Sequence, residues 1–299
     1  MSIRCTFVLA TALAAGTASA SVITSFNQVV LGNLQTGQDT EGRLFVGGNL
    51  TGAAAQVGTQ LLPRGNYAGV DVLSVGGFTS VNNLQVEAGN FRRSGARIGG
   101  LNLNSGGLEI VDGAVAASVA SVAADLFGVS SAFGGLAADS SVQAPSGQPG
   151  PMRFIATPGS DGVAVFSISA SALTSSLVQQ YELVTGGASS IVINVSGSFA
   201  AFNGGNFVGN WQNANVRATT IWNFTQATSI VVNRNFNGAI LAPSAQLTNS
   251  TAIDGSVFVG SMVQNGEVHL PGYSGFIPAP GAGVLGALGG VMIGSRRRR

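Results

Sequence analysis

Gly42-Arg43-Leu44-Phe45-Val46-Gly47-Gly48-Asn49-Leu50 is a short apolar strand broken by two glycines. The pattern returns in Asp71-Val72-Leu73-Ser74-Val75-Gly76-Gly77-Phe78 and in Gly95-Ala96-Arg97-Ile98-Gly99-Gly100-Leu101-Asn102-Leu103-Asn104. The glycine pairs begin at 47, 76 and 99, offsets of 29 and then 23 residues, an irregular repeat in the range where solenoids occur. Each segment reads as a rung of a β-solenoid, with inward Ile, Leu, Val and Ala stacking on the next rung while Ser, Thr, Asn and Gln face water. A plain antiparallel sandwich produces the same punctuated strands and stands as the alternative.

Past this repeat, Val115, Val119, Val122, Leu126, Val129 and Phe133 fall at spacings of 4, 3, 4, 3 and 4, the single apolar stripe of an amphipathic helix over 113–134. Asp112 stands near its start and Gly134-Gly135 near its stop. Ser118, Ser121, Asp125, Ser130 and Ser131 interrupt the run and argue against a membrane span. After a Pro/Gly/Ser-rich loop from Ala144 to Gly162, strands resume at Val163, Ile191, Thr219 and Ile230. Short pieces then start at Ala239, Ala245, Ser256 and Val268, separated by Gly, Pro, Asn or Asp turns.

Composition fits this picture. Forty-four glycines in 299 residues, with 8% charged and 45% apolar residues, describe a chain held by backbone ladders and close packing of small residues. At the N-terminus, Arg4, an apolar run from Phe7 to Ala15 and the small residues Ala18 and Ala20 read as a secretory leader (1–20) cut before Ser21. Cys5, the one cysteine, falls inside it, so the expected mature protein has no disulfide. Setting aside Arg4 and Arg296 to Arg299 leaves eight of the thirteen basic residues against twelve Asp and Glu, a net charge of −4. Such a body offers no electrostatic footprint for nucleic acid. With no lysine present, Lys-Asn isopeptide cross-links are excluded.

Segment 278–299 contains Gly281-Ala282-Gly283-Val284-Leu285-Gly286, which has the G-x-G-x-x-G spacing but neither a preceding strand nor room for a βαβ unit. The apolar stretch from Gly281 to Gly294 spans about 21 Å as a helix, short of a bilayer core of about 30 Å. Its order is Pro278-Ala279-Pro280, a short apolar run, and Arg296, Arg297, Arg298 and Arg299. The arginines would keep the tail cytoplasmic during export, with transient membrane contact.

The expected body, 21–277, names no catalytic, cofactor-binding or metal set, and the reading is not an enzyme. Its one histidine, His269, shares a strand side with Glu267, two metal ligands without a third; a surface pair is the plainer reading. No G-x-S-x-G elbow or calcium loop appears, and no pair of carboxylates is singled out for glycoside chemistry. Among the aromatic residues, Trp222 in an alternating strand and Tyr181 are weaker surface candidates. Trp211, in an Asn/Gly-rich loop, is the candidate surface-binding residue. Arg92, Arg93 and Arg97 form the basic cluster, read as a solvated face.

Ser25-Phe26-Asn27-Gln28-Val29-Val30-Leu31-Gly32-Asn33-Leu34, followed by Glu41 to Leu50, resembles the opening of the choice-of-anchor A domain. Ile193-Asn194-Val195-Ser196-Gly197, Ile221-Trp222-Asn223-Phe224, Gly238 to Ala245 and Ile253 to Gly260 are similar to its second half. The resemblance implies a surface domain joined to a C-terminal anchoring signal, with adhesin-like relatives and no defined catalytic residues. The tail looks like a PEP-CTERM-type sorting signal with Ala279 in place of the name-giving Glu, implying an exosortase-like processing enzyme. The layout of short rungs, one helix and a late Trp-containing segment resembles bacterial ice-binding solenoids, although no sustained Thr-x-Thr array is present.

The expectation is therefore a mainly β, irregular right-handed β-solenoid with one amphipathic helix alongside. It would be exported to the cell envelope, cell surface or extracellular matrix, would require the export machinery, and would serve adhesion or matrix assembly. A polysaccharide or other surface is the expected ligand. Binding of ice or a crystalline surface, and a polysaccharide-acting β-helix enzyme, are the alternatives.

Overall fold

The computed structural model describes residues 21–278. The leader site at Ala18 and Ala20, and Ala279, Pro280 and Arg296 to Arg299 of the tail, lie outside the described residues; Pro278 is the last residue inside them.

Most strands stack in three columns around one interior, while Ser141–Gln143, Gly150–Ile155, Val178–Val184 and Asn206–Phe207 form a separate four-stranded sheet. Along the first run Val163–Ser169, Ser190–Ser196, Thr220–Phe224, Ala239–Asn249, Val257–Gln264, Gln28–Val30, Leu44–Val46, Asp71–Val75, Asn90–Arg93 and Glu109–Val111. The second column holds Phe199–Phe202, Ser229–Val232, the later parts of Ala239–Asn249 and Val257–Gln264, then Leu34–Thr36, Leu50–Val57, Thr79–Val86 and Arg97–Leu103. A short third column joins Phe236–Asn237, Ile253–Asp254 and Val268–His269 and continues by bridges through Thr40 to Val57. Every one of these pairings is parallel; the antiparallel pair among the described strands is Ser141–Gln143 with Gly150–Ile155. The solenoid reading holds, and the antiparallel sandwich does not.

Order in space departs from order in the chain. The last rung, Val257–Gln264, pairs with the first, Gln28–Val30 and Leu34–Thr36, so the two halves of the chain meet at a seam within one sheet. The connection is the helix Ala114–Gly134. Its 21 residues span about 31 Å along a ten-strand column whose ends are about 43 Å apart at ordinary strand spacing. The helix thereby carries the chain from the Glu109–Val111 end back toward the Val163–Ser169 end.

Val115, Val122, Leu126, Val129 and Phe133 of the expected stripe are buried, with Val119 partly so, against Val29, Phe45, Leu241 and Phe258 on the outer side of the first column. Its length and mean hydropathy of 1.5 would suffice for a membrane span, so the serines alone do not decide the matter. The seating of the stripe on the sheet does. Asp112 Oδ1 accepts from Ala114 N at 2.9 Å at the start. Further along, buried Asn223 donates to Ser130 O (2.9 Å) and Asn194 Oδ1 (2.8 Å), while Asn194 donates to Phe133 O at 2.8 Å. These amides lock the helix to the rungs beneath it.

The glycine pairs have a packing cause at the corner between the first two columns. A Cβ on Gly47 would stand 2.2 Å from Leu31 O, and one on Gly76 would stand 2.4 Å from Gly47 O. Two of the three expected pairs occupy this corner. The third does not: Ser94 and Gly95 take it, and Gly99-Gly100 lies inside the strand Arg97–Leu103. Sequence spacing could not separate these because a Gly-Gly pair also accommodates the register shift that occurs there between Thr79–Val86 and Arg97–Leu103.

The stretch from Ala144 to Gly162 is not the continuous loop expected. It contains the strand Gly150–Ile155, which buries Met152 and Phe154. The alternation Met152, Arg153, Phe154 is too short to stand out among Pro and Gly.

Candidate binding surface

The helix covers the first column, and the second is left free of it. The register places Ala201, Val231, Thr248, Val263, Gln35, Thr51, Ser80 and Ile98 in one line across eight rungs. Their neighbours Ala200, Ile230, Leu247, Met262, Leu34 and Leu50 point inward and are buried, so strand alternation turns the line outward. Phe199, Ser229, Gln246 and Ser261 form a second line beside the later rungs. At about 4.8 Å per rung the longer line extends about 34 Å. Its outward groups are methyls, hydroxyls and primary amides. Arg97, at one end, is the one charged side chain in the eight strands of this column.

The third column differs in chemistry. His269 Nδ1 lies 2.7 Å from Asp254 Oδ1 and its Nε2 lies 2.8 Å from Glu267 Oε2. Arg217 Nη1 donates to Asp254 Oδ2 at 3.0 Å, and Asn235 Nδ2 reaches the same oxygen at 3.2 Å. Burial alone would lower the His269 pKa, but hydrogen bonds to Glu267 and Asp254 and the nearby Glu41 carboxylate outweigh it, leaving the pKa raised. Glu267 and His269 are thus brought together as expected, and Asp254 joins them. Among the described residues no three His, Cys, Asp or Glu side chains form a group able to hold a metal. Beside this cluster opens a cavity of about 430 Å³ lined by Asn206, Phe207, Gln212, Arg217, Asn235, Asn237 and Asp254.

Trp211 is not a surface residue. It is fully buried, with its ring centroid 5.4 Å from Trp222, 5.7 Å from Phe154 and 5.6 Å from Phe207. The Asn/Gly-rich segment forms a single 3-10 turn, Gly209–Gln212, which turns the indole inward while its polar neighbours stay outside. Trp222 is buried as expected. Tyr181 is buried too, stacked on Phe207 at 4.7 Å and donating to Leu173 O at 2.9 Å.

The arginine cluster is internally paired. Arg92 binds Asp71 (2.7 Å) and Asp112, while Arg93 (2.6 Å) and Arg97 (2.9 Å) share Glu109. The Arg97 hydrogen bond leads in holding the Glu109 carboxyl below its ordinary range, with Arg93 adding to it against the cost of burial. These arginines close the end of the solenoid.

Sequence reasoning missed the outward line and the cavity. Membership of the line depends on register between strands as distant as Gln35 and Val263, and the cavity's ion pair joins residues 37 positions apart. Alternation inside Ser229–Val232 and Gln246 to Asn249 was the available local signal.

The model of a family described as "Putative Ice-binding-like adhesive domain" matches residues 19–270. No curated protein matches the chain. A similar solved structure is the crystal structure of an ice-binding protein from an Antarctic ascomycete, Antarctomyces psychrotrophicus. It is 13% identical, with 83% of this chain and 96% of that chain covered and a TM-score of 0.33.

Proposed function

Because the chain belongs to the ice-binding-like adhesive domain family, we propose that it is an exported, non-enzymatic surface adhesin that applies its helix-free column to an extended uncharged surface in the cell's surroundings or matrix. The observation that carries this reading is the outward line from Ala201 to Ile98, regular in register and almost without charge. A rigid array of this kind adds many weak contacts at once. Ordering it costs little, because the ladder is already formed. With no charge on the line, attachment is insensitive to salt.

Adsorption of the purified full chain to crystalline cellulose and to ice, each at low salt and at about 1 M salt, where the Debye length is about 3 Å, tests this. Adsorption to either solid that survives high salt and is lost in the double variant Thr51→Arg, Thr248→Arg, with the melting temperature unchanged, is the expected result. Unaltered adsorption by the variant, or loss of adsorption in salt, would overturn the reading. The same outward line also favours ice as the solid, since it presents methyls and hydroxyls at a rung repeat. Inhibition of ice recrystallisation by the full chain, lost in the same variant, would select ice; inactivity there would remove that version.

The two ends complete the proposal. The leader is cut after Ala20, and Pro278-Ala279-Pro280 with the four terminal arginines is read by an exosortase-like enzyme. The order of motif, apolar run and basic cluster supports this. Intact mass of protein recovered from the producing cell's surface should show a chain beginning at Ser21 and lacking Arg296 to Arg299; a full-length cytoplasmic chain would contradict it.

A further inference from the structure

The cavity beside the third column is chemically unlike the adhesive line. Its floor is the ion pair between Arg217 and Asp254, in which the two charges neutralise each other. Both Asp254 oxygens are engaged: Oδ1 meets His269, and Oδ2 meets both Arg217 and Asn235. Paired with Arg217, Asp254 adds no net negative charge to the cavity. The guanidinium spends one N–H on that bond and keeps others, while its charge is met by the carboxylate.

The remaining walls are primary amides. Asn237 is buried, and its Nδ2 is spent on Trp211 O at 2.7 Å. Asn235 spends its Nδ2 on Asp254, and Gln212 directs Nε2 to Phe207 O at 3.5 Å. Each of these NH2 groups keeps a second N–H, and each amide also carries a carbonyl oxygen, so the three supply acceptors and donors alike. Asn206, an exposed residue, has no side-chain hydrogen bond among the described residues and supplies both a donor and an acceptor. The guanidinium of Arg217 adds a further donor edge. Phe207, the one aromatic in the lining, is itself buried and leaves little apolar wall.

A neutral cavity that offers several fixed acceptors and donors and little apolar surface suits a ligand rich in hydroxyl groups, each of which donates and accepts. Its volume of about 430 Å³ lies within the range of about 300–1,000 Å³ of small-molecule sites and admits one or two sugar rings. We infer that this cavity is a binding site for a neutral saccharide, separate from the adhesive line and read by Asn206, Gln212, Arg217, Asn235 and Asn237.

Titration calorimetry of the full chain with glucose, galactose, mannose, N-acetylglucosamine and cellobiose tests the site. Saturable binding of at least one sugar is expected. The double variant Asn206→Ala, Gln212→Ala should weaken it by about tenfold, the effect of losing two ordinary hydrogen bonds, without a change in melting temperature. Tighter binding of cellobiose than of glucose would assign the site to a polysaccharide chain, and the reverse order to a free sugar. Should the double variant fold poorly, Asn206→Ala alone serves, since that side chain is exposed and makes no hydrogen bond among the described residues. The Thr51→Arg, Thr248→Arg variant should keep full sugar affinity, so failure of the adhesion reading leaves this one standing. Absence of saturable binding by every sugar in the panel, equal affinity in the Asn206 and Gln212 variants, or preference for glucuronate over the neutral sugars would overturn it.

Discussion

The rungs before the long helix and those after it share one architecture but fill it differently. Between residues 28 and 111 the interior is aliphatic, with Leu44, Val46, Leu73, Val75 and Leu84 stacking rung on rung and Phe91 the one buried aromatic directed inward. After the helix, Trp211, Trp222, Phe154, Phe207 and Phe236 meet as a cluster of edge-to-face and tilted rings with centroids 5.2–5.9 Å apart. The first half depends on how closely the backbones approach, and its glycine corner sets that approach. The second half depends on large side chains and tolerates a wider cross-section. A β-solenoid thus constrains the ladder much more tightly than what fills it.

The largest break in this comparison is expected from Trp222→Ala. The indole is fully buried, touches four other aromatic rings and donates to Asn237 O at 3.0 Å. Its removal should cost about 3–5 kcal/mol, read as a lowered denaturant midpoint. A loss below about 1 kcal/mol would mean that the second half, too, is held by its ladder.

The corresponding break in the first half is smaller and of opposite kind. Gly76→Ala adds one methyl where Gly47 O stands 2.4 Å away, so the rungs must part. The expected cost is about 1–3 kcal/mol. Gly37→Ala is its control, since nothing lies within 4 Å of a Cβ there, and it should be neutral or slightly stabilising. Equal effects of the two substitutions would show that the corner does not set rung spacing.

How much of this was legible depends on the range over which each feature is encoded. The helix stripe from Val115 to Phe133 was readable because its periodicity and its burial involve one element. Gly47 and Gly76 were readable because a strand and its corner lie within nine residues. Trp211 was not, because an indole in a polar turn points inward or outward according to the partners across the core, here Phe154 and Trp222. The adhesive line was not readable either: each member is an ordinary Ala, Val, Ile, Thr, Ser or Gln until parallel register aligns it with residues up to 228 positions away. Most of the fold was therefore in the sequence as local pattern, whereas the site is a property of register.

The two halves should also separate by pH. At the end of the first half, the Glu109 pKa is lowered chiefly by Arg97 and then Arg93. A depressed carboxyl contributes stability that is present above its unfolded value of about 4.3 and is lost as pH falls through the folded value. In the second half, His269 has a raised pKa, burial being outweighed by Glu267, Asp254 and the charge of Glu41. Its contribution is fully present below about 6.5 and is lost as pH rises through the raised folded value. Asp39, raised mainly by burial, opposes Glu109 on the acid side. These groups are partly exposed, so each effect is small, at most about 1 kcal/mol. Melting temperature against pH should rise from acid to a plateau at about pH 5–6 and fall gently above about pH 7. Glu109→Gln should flatten the acid limb and leave the alkaline one, whereas His269→Gln should do the reverse. If both substitutions flatten the same limb, the arginine-closed end of the solenoid and the third column do not titrate independently, and the division of the molecule into two differently held halves fails.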